Sequence, residues 1–108
     1  MGLATKAASL AGLINVEQSA HVLEKAALHP EPVVRVAAAA SARHLTSIPT
    51  SLAMKLLNDS DPGVRKWTLK AVEVRQPAGV KARVQEIITN DPDVGLRDRA
   101  RRIINQLP

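Results

Sequence analysis

The sequence has no cysteine, no phenylalanine and no tyrosine, and a single tryptophan, Trp67. Without cysteine there is neither a disulfide nor a thiolate metal site. Hydrophobic residues still make up 45% of the chain, so any core must be assembled from Ala, Val, Leu and Ile. Ala and Leu are strong helix formers, and no alternating run of β-branched residues offers a strand pattern. Glycine is also scarce, with five residues. Together these shortages predict an all-α protein. No apolar run approaches the ~18 residues that mark a membrane-spanning helix, so no membrane partner is expected. Lys6 and Asn15 interrupt the stretch that a secretory signal would need, and Lys6 stands where a myristoylation signal carries Ser or Thr. The expected setting is the cytoplasm.

What is present fits one folded unit. A chain of 108 residues is the size of a single domain and should bury about 65% of the surface its unfolded form exposes. Fifteen basic residues against ten acidic give a net charge of +5. That balance favours an acidic partner and leaves nucleic acid open.

A short phrase recurs. Aligned on proline, it reads Glu31-Pro32-Val33-Val34-Arg35, then Asp61-Pro62-Gly63-Val64-Arg65, then Asp91-Pro92-Asp93-Val94, with both intervals equal to 30 residues. In this alignment the third copy carries an insertion ahead of its basic residue, Val94-Gly95-Leu96-Arg97. Asp61 and Asp91 are suited to cap a helix by accepting N–H bonds from its first turn. Pro62 and Pro92 suit the first helical position, where a missing N–H leaves nothing unmade. Glu31 is a poorer cap than Asp. Helical patterns follow over about 32–45, 62–75 and 92–106, and others precede them at about 15–28, 48–58 and 78–89. The first of these preceding segments has Asn15 as its cap and Leu23, Ala26, Ala27 and Leu28 on its apolar side. Ser47 or Ser51 would open the second, and Val80, Val84, Ile87 and Ile88 face inward in the third. A further helix over 3–13 completes a layout of seven.

The phrase Asp-Pro-x-Val-Arg followed by small and aliphatic residues resembles the second helix of HEAT repeats, in particular the short variety of phycobilisome lyase-like proteins. The run from Asp61 to Val72 carries the resemblance best; Val34-Arg35 with Ala38, Ala39 and Ala42, and Leu96-Arg97 with Ala100, Ile103 and Ile104, extend it over about residues 16–107. It implies a short right-handed α-solenoid of antiparallel helix pairs: a capping helix over 1–14 and repeats over 15–46, 47–76 and 77–108. The polar last helix suits a water-facing end. The resemblance further implies that Arg35, Arg65 and Arg97 pair with acidic turn residues of neighbouring repeats. It implies, too, that the second helices line a concave face where ligands lie.

With Val64, Thr68, Ala71 and Val72 inward, helix geometry turns Lys66, Trp67, Lys70 and Glu73 outward. The matching positions are Val36, Ala37, Ala40, Arg43 and His44 in the first pair, and Asp98, Arg99, Arg102 and Gln106 in the third. The candidate partner-binding residues are therefore Arg43, His44, Lys66, Trp67, Lys70, Arg99 and Arg102. Such a face suits an acidic protein segment. The alternatives are sequence-tolerant contact with a nucleic-acid backbone, since one Trp gives little for bases to stack on, and a small structural subunit of a larger assembly.

Enzyme readings find no support. His21, His29 and His44 have no cysteine or His-Glu dipeptide beside them, and there is no glycine-rich phosphate loop and no Gly-x-Ser-x-Gly elbow. No cofactor, metal or small-molecule substrate is expected. The expectation is a non-enzymatic binding or scaffold module.

Overall fold

The computed structural model describes residues 16–108. Those residues form six α-helices and no strand: α1 (Val16–Ala26), α2 (Pro32–Ala42), α3 (Thr50–Leu57), α4 (Pro62–Arg75), α5 (Lys81–Asn90) and α6 (Val94–Ile103). A 3-10 turn, Ile104–Gln106, follows α6. The expected helix over 3–13 and the Asn15 cap lie outside the described residues.

The local chemistry sets the helix boundaries. Pro32 and Pro62 occupy the first turn of α2 and α4. The Asp61 carboxylate accepts the N–H groups of Gly63 at 2.7 Å and Val64 at 3.3 Å, whereas Glu31 makes no such cap bond. A methyl group at Gly63 would come within 2.9 Å of Asp61 Oδ1, so glycine makes room for the cap.

The third start differs from expectation. α6 begins at Val94, with Asp93 rather than Asp91 as its cap, accepting from Leu96 N–H at 3.1 Å. Asp91 is unavailable because its carboxylate is held by Arg65. The correct register is therefore Asp61-Pro62-Gly63-Val64-Arg65 over Asp93-Val94-Gly95-Leu96-Arg97, with no insertion in the phrase. The arginines recur at 30 and then 32 residues.

Other boundaries shift for similar reasons. α2 stops at Ala42, where His44 and Leu45 N–H groups turn to carbonyls three residues back. Pro49 directly precedes α3, so neither Ser47 nor Ser51 caps it; Ser51 instead donates to Glu24 Oε1 at 3.2 Å. α5 starts at Lys81 rather than 78, because Gln76 (φ 49°) and Gly79 (φ 85°) are both left-handed. Leu28, expected inward, lies in the turn after α1 and is 69% exposed.

Consecutive helices pack as α1 on α2, α3 on α4 and α5 on α6. Helices α1, α3 and α5 also touch in order, as do α2, α4 and α6, with the most extensive contact between α2 and α4. Small side chains suit a helix with neighbours on two sides: Ala38, Ala39 and Ala42 are all buried in the core. Ala37, expected outward, is buried. Leu23, Leu45, Leu52, Leu56, Leu57, Leu69, Val84, Ile87 and Ile103 supply the bulk of one continuous core, each large side chain stabilising by roughly 1.5–3 kcal/mol on burial.

Arginine ties the layers together. The Arg35 fork meets the Asp59 carboxylate through Nε (2.8 Å) and Nη2 (3.3 Å), while Nη1 donates to the carbonyls of His29 and Pro30. Arg65 repeats the pattern one layer on: Nε and Nη2 meet Asp91 at 2.8 and 3.1 Å, and Nη1 donates to the carbonyls of Asp59 and Ser60. Each carboxylate is held in turn by an N–H two residues later, from Asp61 and from Asp93. His29 occupies the corresponding place in the first turn, and its Nδ1 accepts the Glu31 N–H at 3.0 Å. Further ties join Arg75 Nε to the Arg43 carbonyl, Thr50 Oγ1 to the Ala78 carbonyl and Arg83 Nη2 to the Leu57 carbonyl.

Candidate partner-binding face

Helix α4 sits in the middle of the α2–α4–α6 row, and its residues divide cleanly by side. Val64, Thr68, Leu69, Ala71 and Val72 are buried, and Thr68 Oγ1 satisfies itself on the Val64 carbonyl at 2.7 Å. Lys66 is exposed, while Trp67, Lys70 and Glu73 are half-buried. This is the division that the helical period demands.

Two groups of cations flank this exposed side. In the first, Trp67 packs against the core while Lys70 Nζ lies 4.3 Å and Arg43 Cζ 5.8 Å from the centre of its ring. Both distances are within the range of cation–π attraction. Arg43 comes from the residue that ends α2, and its carbonyl is fastened by Arg75, so two helices contribute to the cluster. The Trp67 ring is thus engaged by the protein's own cations and is not a bare aromatic anchor. It attracts Lys70 and, at longer range, Arg43 over its faces.

The second group lines a cavity of about 440 Å³ between the first turns of α4 and the length of α6. Lys66 stands on one wall, and Arg99 and Arg102 on the other. The floor is made by Pro62 and Gly63 from α4 and by Gly95 and Leu96 from α6. Asp93 borders the cavity too, with Oδ1 engaged by the Leu96 N–H. Residues 95, 99 and 102 share one side of α6 by helical spacing. Glycine at the second position of both helices keeps the floor low.

Of the residues expected at the site, Lys66, Arg99 and Arg102 converge on the cavity, and Arg43, Trp67 and Lys70 form the cation–π cluster. His44 is exposed beside Arg43 and makes no side-chain hydrogen bond among the described residues. Glu73 approaches Arg99 at 3.9 Å, a loose pair with both partners reachable by water. Around the face, five cations stand against Glu73, the capping Asp93 and Asp98, whose carboxylate is paired with Arg101. The sequence reading missed the glycine floor. The register that superimposes Asp61-Pro62-Gly63 on Asp93-Val94-Gly95 would have found it.

Among the described residues no three His, Asp or Glu side chains gather as a metal site, and no helix is long and apolar enough to cross a membrane. No family model, curated protein or solved structure matches the chain.

Proposed function

We propose that this chain is a short HEAT-type α-solenoid that binds an acidic protein segment on the face built by α2, α4 and α6. The solenoid reading is supported by the two rows of helices touching in order and by the repeated Arg–Asp pairing. The binding reading rests chiefly on one observation: Lys66, Arg99 and Arg102, from two helices, converge on a single cavity whose one acidic lining residue is the capping Asp93, with Glu73 loosely paired to Arg99 beside it. A cavity with low-dielectric walls and charges of one sign concentrates anions at its mouth. Carboxylate side chains of an extended or helical partner would enter there, while Lys70 and Arg43 meet further acidic residues along the segment. No catalytic step is assigned to the face, and its function is to hold a partner.

Nucleic acid is the second reading, favoured by the same cations. Phosphate contact needs only positive charge, whereas base stacking needs free aromatic faces, and the Trp67 ring already has two cations over it. Capture from a host extract separates the two, using the wild-type chain and Lys66→Glu/Lys70→Glu, each with and without nuclease. Proteins retained by wild type after nuclease and lost with the double variant support the protein-binding reading. Retention abolished by nuclease supports nucleic acid instead. Equal retention by wild type and variant would remove the basic face from either role.

A further inference from the structure

Three arginines hold equivalent positions in the layers, but only two are complete. Arg35 and Arg65 each use Nη1 on carbonyls of their own turn and the Nε/Nη2 edge on the carboxylate of the next layer. Arg97 makes the first half of this arrangement: its Nη1 donates to the Asp91 carbonyl at 2.7 Å. Among the described residues its Nε and Nη2 meet no acceptor, and neither nitrogen is closed off from solvent.

We propose that the Nε/Nη2 edge of Arg97 is a carboxylate-binding site, taking an aspartate from a turn of a partner protein. The site is separate from the basic face: two residues along a helix rotate a side chain by about 200°, so Arg97 and Arg99 point to different sides. An ordinary exposed ion pair gains little because two long side chains must be ordered to make it. Here the Asp91 carbonyl already holds the guanidinium, and the planar fork is matched to a carboxylate's two oxygens.

The geometry also defines the occupant. Asp59 and Asp91 present both oxygens because an N–H two residues on fixes the carboxylate. The complement is therefore an aspartate in a tight turn of the same kind. A second copy stacked end to end does not supply it. The turn between α1 and α2 carries His29 at that place, and the copy's own Asp59 and Asp91 are engaged. The exposed side of α6 is mostly charged, with Asp98, Arg101 and Arg102 along it and Val94 its one exposed large apolar residue.

The test follows the Arg Nε–H resonances of the full chain by NMR during titration with an end-capped peptide of residues 58–64, Asn-Asp-Ser-Asp-Pro-Gly-Val. The Arg97 resonance should shift saturably while those of Arg35 and Arg65 stay in place. A peptide with its first Asp replaced by Asn should bind about tenfold more weakly, the ratio expected for one charge-assisted bond. Peptide-induced shifts of the backbone amides around position 97 should likewise be saturable in the wild type and lost in Arg97→Lys, while Arg101→Lys keeps them. The proposal is overturned if the Arg97 resonance does not move at tens of millimolar peptide, or moves equally with the Asn peptide. Shifts of the same size at Arg101 and Arg102 would reduce the effect to general charge. A shift on concentrating the protein alone would make the occupant a second copy, which also overturns it.

Discussion

Arg65 and Asp91, 26 residues apart in sequence, meet through two hydrogen bonds of 2.8 and 3.1 Å with only 7% and 6% of their surfaces exposed. A buried pair costs much to desolvate, and removing one partner leaves the other charge stranded. Asp91→Asn is therefore expected to destabilise the chain by about 3–5 kcal/mol, the range for breaking a buried pair. Asp59→Asn, facing the more accessible Arg35, should cost less. Urea unfolding of both variants checks the order, and equal losses would show that burial does not set the cost.

The uneven caps give a second expectation. Glu31 leaves the first turn of α2 without a side-chain bond, while Asp61 satisfies two N–H groups. Glu31→Asp should stabilise by about 0.5–1 kcal/mol and Asp61→Ala should destabilise by about 1 kcal/mol. Thermal melting of the two variants should therefore move in opposite directions.

Backbone geometry yields a third. Gln76 closes α4 at φ 49°, a left-handed conformation that costs a side chain but not glycine. Gln76→Gly should gain roughly 0.5–1 kcal/mol, the relief of the left-handed conformation outweighing the added freedom of the unfolded chain. Gly79→Ala acts oppositely, since its φ is 85° and the new methyl would lie 3.0 Å from Thr50 Cγ2. A loss of about 1–2 kcal/mol is expected. Chemical denaturation measures both, and a neutral Gly79→Ala would mean that the link between α4 and α5 re-forms at little cost.

Trp67 is the chain's single tryptophan and so its own fluorescent reporter. Lys70→Met should shift its emission before any partner is added, because the ammonium 4.3 Å from the ring is removed. Lys66→Met, on the cavity side, should leave the emission unchanged and still weaken partner binding. If Lys70→Met left the spectrum of the free protein as it was, the cation–ring contact would not persist in solution.

Much of the fold was legible because its signals are local. Pro62 at a helix start and Arg75 at the last turn before a left-handed residue bound α4 as the period suggested. The third phrase misled because proline is informative at the first helical position and equally at home before a cap. Only the claim of Arg65 on Asp91, a contact across 26 residues, decides which aspartate remains to cap α6. The start of α5 was misplaced because Ala78 reads as helical from propensity, whereas Gly79 and the Thr50 bond to the Ala78 carbonyl hold a turn there. At the site, helical spacing identified Lys66 and Lys70 as facing water. It could not indicate that Lys70 belongs with Trp67 and Arg43 while Lys66 belongs with Arg99 and Arg102. That division depends on which neighbouring helix each side chain reaches.

The arginine ladder also gives the molecule a direction in which it comes apart. Arg35 and Arg65 are each anchored in their own layer and completed by the next. Peeling away α5 and α6 would strip Arg65 of its carboxylate while its carbonyl anchors on Asp59 and Ser60 remain. Peeling away α1 and α2 would leave Asp59 with the N–H of Asp61 still in place, a carboxylate free to turn to water. The two losses are thus unequal: removing α5 and α6 strands an anchored guanidinium, whereas removing α1 and α2 leaves a carboxylate that water can solvate.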